Sequence, residues 1–288
     1  MAVGLEHTFL CSNDVTLHVV RAGPKDGPLL ILLHGFPEFW FAWRRYITAF
    51  AEAGFRVLAP DQRGYNLSDK PLRVMDYAMD QLSADVLGLI DSEGRKKACV
   101  MGHDWGAAVT WNTAAHHPER VERAVVLNVP HPQVLQRSVL GGDLGQMLKS
   151  WYMFYFQLPW LPERAFTKHG GKKQFERMVA LGRPGAFHPA DAPAYQRAWA
   201  QAGAPRAMVD WYRAALRTSI NGGLDAPRVT VPLQVIWGKQ DRLLGADLVE
   251  PSLQLCDDGR VTWFEHATHW VQHEEFEGVF DASLAFLK

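Results

Sequence analysis

The sequence predicts an α/β fold, in which helices cover both faces of a mostly parallel β-sheet and a helical insertion interrupts the sheet. Three observations favour this class. The chain has 288 residues, of which 48% are hydrophobic and 21% charged, enough for one large domain with an insertion and a buried core. Short β-rich runs alternate with longer helical stretches up to about residue 130. The alternation then stops and resumes near residue 233.

Short apolar runs mark the strands. Leu29–Leu33 is continuously apolar, which is typical of a central parallel strand that is buried on both faces. Similar runs predict strands at 56–60, 98–101, 124–127, 233–237 and 261–264. Apolar residues at helical spacing predict helices at about 39–53 and 75–90, and a last helix at about 270–287. The predicted unit is therefore a repeated βαβ.

The middle of the chain has a different composition. From about residue 131 to 226 the β signal is absent, and aromatic-rich helical stretches are broken by Pro and Gly. We therefore expect a core domain formed by residues 1–130 and 227–288, and a helical cap domain formed by residues 131–226.

Composition excludes several partners. Lys and Arg total 30 against 31 for Asp and Glu, and a net charge of -1 predicts neither a nucleic acid nor an anionic membrane as partner. The basic run 168–173 is typical of a solvated loop. Three cysteines without a C-x-x-C pair indicate neither a disulfide framework nor a thiolate metal site. Without a signal peptide or an apolar span, the expected location is the cytoplasm.

The pentapeptide 102–106 (GHDWG) follows one predicted strand and precedes a helical run at 107–115. Small residues two positions before and after a nucleophile form a sharp elbow between strand and helix. Here the central residue is Asp104, and a helix N-terminus favours its ionised carboxylate. The pentapeptide alone fits an Asp N-cap between two turn glycines equally well.

The rest of the chain favours the nucleophile. In this type of fold the catalytic groups follow in the order nucleophile, acid, base, and Asp241 and His269 each follow a later predicted strand. The segment His34-Gly35-Phe36-Pro37 follows the strand 29–33, where a second oxyanion donor is expected. The backbone N–H groups of Phe36 and Trp105 would be the two donors.

With these motifs the chain resembles the α/β-hydrolases of the epoxide hydrolase type. The matching segments are 34–38 (HGFPE), 61–71 (DQRGYNLSDKP), 102–106, Asp241, and His269 in HATHWVQHE. The resemblance implies an eight-stranded sheet with a helical lid. Segments 152–157 and 211–213 look like the family's two lid tyrosine motifs, which implies that Tyr152 and Tyr212 grip the epoxide oxygen. Tyr155, one helical turn from Tyr152, is the alternative for the first position.

The resemblance also implies a reaction. Asp104 would displace the epoxide oxygen at carbon to give an alkyl ester, and His269, oriented by Asp241, would activate the water that hydrolyses it. The product of this ether-bond hydrolysis is a vicinal diol, and no metal or organic cofactor is required. The implied partners are water and a small apolar epoxide, the implied role is detoxifying or catabolic, and the chain would be a monomer or a homodimer.

Two other functions compete with this one. A haloalkane dehalogenase would use the same Asp nucleophile, but that family usually has Asn at the position of Phe36, and fluoroacetate dehalogenases have Arg at the position of Trp105. A catalytically silent ligand-binding protein is disfavoured because Asp104, Asp241 and His269 are all present. His269 and His273 lie four residues apart like a metal pair, but Trp270 stands where H-E-x-x-H requires Glu.

Overall fold

A computed structural model describes residues 4–142, 144–220 and 227–288. Within them the chain forms an eight-stranded sheet of order β1-β2-β4-β3-β5-β6-β7-β8. Strands β3 to β8 run parallel, and β1 and β2 are antiparallel at one edge. The mostly parallel eight-stranded sheet is therefore confirmed. The strands are β1 (Glu6–Ser12), β2 (Val15–Ala22), β3 (Leu29–Leu33), β4 (Arg56–Pro60), β5 (Ala98–His103), β6 (Val121–Leu127), β7 (Leu233–Gly238) and β8 (Gly259–Phe264).

Helices cover both faces of the sheet and form the insertion between β6 and β7. They are α1 (Arg44–Glu52), α2 (Met79–Ser92), α3 (Trp105–His116), α4 (Pro132–Leu140), α5 (Leu144–Lys149), α6 (Trp151–Tyr155), α7 (Leu161–Thr167), α8 (Lys172–Leu181), α9 (Ala192–Trp199), α10 (Ala204–Ile220), α11 (Val249–Leu253), α12 (Val271–Glu274) and α13 (Phe276–Leu287).

Alternate residues of β3 face opposite cores, which explains its continuous apolar run. Ile31 belongs to the cluster with α2 and α3, whereas Leu30 and Leu32 belong to the cluster with α1 and α13. All five residues of β3 are buried because helices cover both of its faces.

We call the described residues between 132 and 220 the cap. The first cap helix begins at Pro132 and the last ends at Ile220. The expected return to the core at residue 227 directly follows residues 221–226, which lie outside the described residues, as do residues 1–3. The division into a core domain and a cap domain with these boundaries stays a prediction.

Aromatic side chains of the cap donate hydrogen bonds to the core. The indole of Trp199 donates to the Pro37 carbonyl at 2.6 Å, and the indole of Trp211 donates to the Arg63 carbonyl at 3.1 Å. The hydroxyl of Tyr195 donates to the buried carboxylate of Glu38 at 2.7 Å. These bonds hold the cap over the carboxyl ends of the parallel strands.

The structure also bears on two expectations from composition. Among the described residues, no helix combines the length and the apolar character that crossing a bilayer requires. Cys11, Cys99 and Cys256 are free thiols.

Candidate active site

Five neighbouring strands each bring one polar group to the same edge of the sheet. In sheet order, β3, β5, β6, β7 and β8 are followed by the Phe36 amide, Asp104, Asn128, Asp241 and His269, respectively. Carboxyl ends of adjacent parallel strands lie side by side, so groups far apart in the chain meet there. This explains how Asp104, Asp241 and His269 come together.

Asp104 stands on a strained turn between β5 and α3. Its backbone has φ 49° and ψ -122°, a conformation that costs a non-glycine residue energy and that persists only when its surroundings enforce it. The neighbouring glycines allow this turn: a Cβ on Gly102 would lie 2.2 Å from the Gly106 carbonyl oxygen, and one on Gly35 would lie 2.3 Å from the Asp104 Cβ. The Asp104 side chain accepts no hydrogen bond from the first backbone N–H groups of α3, as an ordinary N-cap would. The geometry therefore matches a nucleophile elbow rather than an N-cap.

The three expected triad residues form one chain of polar contacts. His269 Nε2 lies 3.4 Å from Asp104 Oδ2, and His269 Nδ1 lies 2.8 Å from Asp241 Oδ2. The other oxygen of Asp241 accepts the backbone N–H groups of Leu243 at 2.7 Å and Leu244 at 3.0 Å. The imidazole is thus held between two carboxylates.

Asn128 is a site residue that the sequence reading missed. Its Nδ2 donates to Asp241 Oδ2 at 2.8 Å, and its Oδ1 accepts the Gly238 N–H at 2.9 Å. The residue has φ 51°, a left-handed conformation that Asn tolerates better than most residues. The available signal was an Asn directly after the predicted strand 124–127, at the same edge as the other groups.

Burial and charge act against each other at Asp104 and His269. Burial alone would raise the pKa of Asp104, but the hydrogen bond and charge of His269 and the N–H of Phe36 outweigh it and lower the pKa. Burial alone would lower the pKa of His269, but the charge of Asp241 and the bond to Asp104 raise it to about 10. In the free enzyme, Asp104 is therefore ionised and His269 protonated at neutral pH.

A second buried network lies behind the triad. His103 Nε2 contacts the His269 carbonyl at 2.8 Å, and Glu38 accepts from Tyr195, from Gln272 at 3.1 Å and from His273 at 2.7 Å. Burial opposes ionisation of Glu38, yet the nearby His273 and His103 lower its pKa to about 2. His103 thus contacts the backbone of His269, and His273 binds Glu38.

A cavity of about 230 Å³ separates the triad from the cap. Asp104 and His269 line it from the core side, and Tyr152, Tyr155 and Tyr212 line it from the cap side. The rings of Tyr152 and Tyr212 lie 6.1 Å apart and nearly perpendicular. Burial, followed by the charge of Asp104, raises the pKa of both hydroxyls above the usual tyrosine range. Both therefore keep their protons at neutral pH.

Tyr152 suits the cavity better than Tyr155 does. The Tyr155 hydroxyl donates to the Leu161 carbonyl at 3.4 Å, at an exposed position. Among the described residues, the Tyr152 hydroxyl makes no such bond, and its pKa is raised by burial and, to a lesser extent, by the charges of Asp104 and Asp241. The two candidates for the first lid tyrosine thus differ in whether the hydroxyl is free.

Of the two expected oxyanion donors, the Phe36 N–H is the one with a hydrogen bond to Asp104. The Phe36 N–H donates to Asp104 Oδ1 at 2.7 Å. Trp105 is the first residue of α3, and its indole, with Tyr212, forms a wall of a second apolar cavity of about 160 Å³. That second cavity also contacts Met153 and Phe154 of the cap.

In the part of the chain that the structure describes, no cluster of three or more His, Cys, Asp or Glu side chains is arranged to hold a metal ion. The polar groups at the sheet edge instead contact one another, as a carboxylate, an imidazole and a second carboxylate.

A helix-covered parallel sheet with a strand-to-helix elbow defines the α/β hydrolases, and the model of the alpha/beta hydrolase fold family matches residues 28–276. The chain is 42% identical to the AB hydrolase superfamily protein YfhM of Bacillus subtilis, over 99% of both chains. It is 34% identical to human Epoxide hydrolase 4, over 98% of this chain and 79% of that protein. A solved epoxide hydrolase from metagenomes of hot environments superposes with TM-score 0.87 at 32% identity, over 99% of both chains.

These similarities extend over the core and the cap alike. The chain belongs to the epoxide hydrolase family of the α/β-hydrolase superfamily, a family of hydrolases that act on ether bonds.

Proposed function

We propose that this protein hydrolyses apolar epoxides to vicinal diols through a covalent alkyl ester on Asp104. One observation carries the proposal. An ionised carboxylate faces two tyrosine hydroxyls that keep their protons, across a single cavity with apolar walls. An epoxide needs both at once, because its carbon is attacked while its oxygen leaves as a strongly basic alkoxide.

Ring opening uses the core and the cap together. Asp104 Oδ2 attacks an epoxide carbon, the carbon–oxygen bond on the opposite side breaks, and the new alkoxide takes a proton from Tyr152 or Tyr212. Asp104 Oδ1, which accepts the Phe36 N–H, becomes the carbonyl oxygen of the ester. The protons of the two tyrosines are available because burial keeps both phenols neutral.

Ester formation changes the charge on His269. Two of the causes that raise its pKa, the hydrogen bond to Asp104 and the charge of Asp104, disappear when that carboxylate becomes a neutral ester. The imidazolium then gives up its proton, which restores the tyrosine. Alkylation of the nucleophile thus converts His269 into the base of the second step.

Hydrolysis restores the free enzyme. Neutral His269 takes a proton from water, whose oxygen attacks the Asp104 carbonyl carbon, and the Phe36 N–H stabilises the oxyanion, with the Trp105 N–H as the second expected donor. The bond between Asp104 Cγ and the ester oxygen breaks, and the leaving alkoxide takes the second proton of the water, which the new Asp104 carboxyl group carries, so that the diol departs. The carboxylate is regenerated with one oxygen from water, and His269 is protonated again.

The substrate should be apolar and of modest size. The cavity walls are mostly aromatic and aliphatic, with Phe36, Phe156, Phe166, Met178, Leu181 and Leu243 among the lining residues. Such walls bind hydrocarbon substituents, whereas Asp104, His269 and the tyrosines supply the polar groups at the reaction centre.

The first test compares the two leaving groups. Purified protein is incubated with styrene oxide and, in parallel, with 1-bromobutane, and diol and bromide are measured. We expect diol without bromide. Bromide without diol would replace the epoxide by a haloalkane as substrate. Intact ligand in both reactions, together with saturable binding of styrene oxide, would favour a silent binding protein.

The second test detects the covalent intermediate. His269→Gln should accumulate the ester, seen as Asp104 peptides heavier by one substrate molecule, while wild-type protein in ¹⁸O-labelled water should incorporate the label into Asp104 during a single turnover. Label found only in the diol would contradict the ester and indicate direct attack by water.

A further inference from the structure

One part of the cap exposes far more apolar surface than the rest of the described chain. Among the described residues, half of the twelve exposed large hydrophobic side chains lie between residues 148 and 161. Single exposed apolar residues are ordinary, but a cluster of this density marks an interaction surface. We call this surface the cap rim, and its apolar members are Leu148, Trp151, Phe154, Leu158, Trp160 and Leu161.

Hydrogen bonds connect neighbouring parts of the cap rim. The Arg164 N–H donates to the Trp160 carbonyl at the start of α7, and the Tyr155 hydroxyl of α6 donates to the Leu161 carbonyl. The second of these contacts joins α6 to the first residue of α7. Trp151 is 63% and Trp160 74% exposed, which leaves both indoles available to a partner.

The same part of the cap is basic. Residues 148–183 contain seven Lys or Arg and two Glu, a local charge of +5 in a chain whose total is -1. Five of these cations are exposed and form no ion pair among the described residues: Arg164, Lys168, Lys172, Lys173 and Arg177. The cap therefore carries a local excess of positive charge that the total charge of the chain does not show, and the basic run 168–173 contributes to it.

The cap rim adjoins the catalytic cavity. Trp151 and Arg177 both line that cavity, and Phe154 lines the second cavity beyond Trp105. A partner seated on the cap rim would thus contact residues that line the two cavities.

We propose that the cap rim docks on an anionic phospholipid bilayer. Tryptophan has an apolar ring with a polar N–H and settles at the membrane interface, while Lys and Arg are attracted to anionic headgroups. Exposed indoles beside unpaired cations fit this surface better than they fit a protein, whose interface cores are poor in lysine. Docking would place the cavity entrance against the phase in which apolar compounds dissolve.

This inference goes beyond epoxide hydrolysis, because lipid binding needs no chemistry at Asp104. It also differs from the expectation that the chain has no membrane partner. That expectation used the total charge, which averages the basic cap rim with the acidic remainder of the chain. Because vesicle binding is measured without substrate, its outcome is independent of the catalytic tests.

The test is sedimentation of the whole protein with vesicles. Vesicles of phosphatidylcholine alone are compared with vesicles of equal parts phosphatidylcholine and phosphatidylglycerol. We expect at least about tenfold tighter binding to the anionic vesicles, since each basic residue near the surface contributes about 1 kcal/mol. Binding should be lost in about 1 M NaCl, where the Debye length falls to roughly 3 Å.

Matched variants locate the binding surface. Lys172→Glu with Lys173→Glu should weaken binding by at least about tenfold, whereas Lys96→Glu with Lys97→Glu, an exposed lysine pair on the core, should not. Trp160→Asn, which suits the left-handed backbone there, should also weaken binding. Its control is Leu72→Ser, at an apolar residue that is 83% exposed outside the cap rim.

Four outcomes would overturn the proposal. They are no sedimentation with anionic vesicles, equal binding to neutral and anionic vesicles, equal loss in the core lysine variant, and a dimer that Trp160→Asn dissociates in a protein that binds no vesicles. Turnover of dissolved styrene oxide by Trp160→Asn should match the wild type, which would show that the variant is folded.

Discussion

The core and the cap hold their site residues by different means. In the core, Asp241 accepts hydrogen bonds from two backbone amides and from Asn128, so its position is set by directional donors. In the cap, Tyr212 is held by ring packing, with Phe156 at 4.4 Å and Trp105 at 4.9 Å between ring centroids. Hydrogen bonds thus position the charged side chain in the core, whereas packing against aromatic rings positions the neutral tyrosine in the cap.

The difference follows from what burial does to each kind of group. Burial raises the pKa of an acid, and at Tyr152 and Tyr212 this effect prevails, so the phenols keep their protons. At Asp104 the same effect is outweighed by His269 and by the Phe36 N–H. Burial therefore suits both halves of the site, because hydrogen-bond donors face the Asp104 carboxylate, which must stay charged, and the phenols remain neutral.

The largest effect is expected at Asp104, the proposed nucleophile. Asp104→Ala should lower kcat for epoxide hydrolysis by about 10⁴-fold or more, because no covalent route remains. Diol formation measures the loss, and circular dichroism with urea unfolding verifies the fold. Glu38→Gln, a buried carboxyl group behind the triad, is the control and should keep measurable turnover. Activity near wild type in Asp104→Ala would contradict the covalent mechanism.

The cap tyrosines come next. Tyr152→Phe combined with Tyr212→Phe should lower kcat by about 10²- to 10⁴-fold, the range for loss of general acid catalysis. Ring packing is retained, so thermal unfolding should change little. Tyr155→Phe is the matched control and should behave as the wild type, because that hydroxyl is bonded to the Leu161 carbonyl. A large loss in the control alone would assign the acid role to Tyr155.

A smaller loss is expected where the core orients its acid. Asn128→Ala removes a hydrogen bond to the Asp241 carboxylate, worth about 1.5–3 kcal/mol, and should lower kcat by roughly ten- to a hundredfold. Asn128→Gly relieves the strain at φ 51° and should show the same kcat loss with less destabilisation.

The matched change in the cap is Gln157→Ala. It removes an amide that donates to the Tyr212 carbonyl at 3.3 Å and should leave kcat nearly unchanged, because packing holds that tyrosine. Steady-state kinetics of Asn128→Ala and Gln157→Ala compares the core with the cap directly. An equal loss of kcat in both variants would contradict the view that hydrogen bonds hold the core residues and packing holds Tyr212.

The smallest effect concerns stability in acid. Burial lowers the pKa of His103 and of His131 to about 4, from 6.5 in the unfolded chain. Between these values the unfolded chain binds more protons, so stability should fall as the pH is lowered, by about 2 kcal/mol per group from about pH 7 to about pH 5. His269, with its raised pKa, contributes stability that is complete below pH 6.5 and lost as the pH approaches 10.

Urea unfolding at both pH values measures this effect. His131→Asn keeps an acceptor for the Gln133 N–H at the start of α4 but removes one titrating group. Between about pH 7 and about pH 5, the free energy of unfolding of this variant should therefore fall by about 2 kcal/mol less than that of the wild type. An unchanged pH dependence in this variant would show that His131 titrates normally.

The fold and the polar half of the site were accessible from the sequence. Strands such as β3 were predicted from a local apolar run, and Asp104, Asp241 and His269 from their positions after successive strands. Asn128 escaped because an amide carries no distinctive motif. The choice between Tyr152 and Tyr155 escaped because both hydroxyls belong to the same short helix, and spacing alone does not show which one is bonded.

The sequence by itself determined the parallel sheet and the edge at which the charged groups meet, because strand periodicity is local and parallel strands end together. Tertiary structure decided which hydroxyls line the cavity, how Glu38 and His103 pack behind His269, and which side of the cap is exposed. These properties depend on residues that approach from other parts of the chain. Such neighbours determine burial and the pKa shifts that follow from it, so both depend on the cap packing against the core.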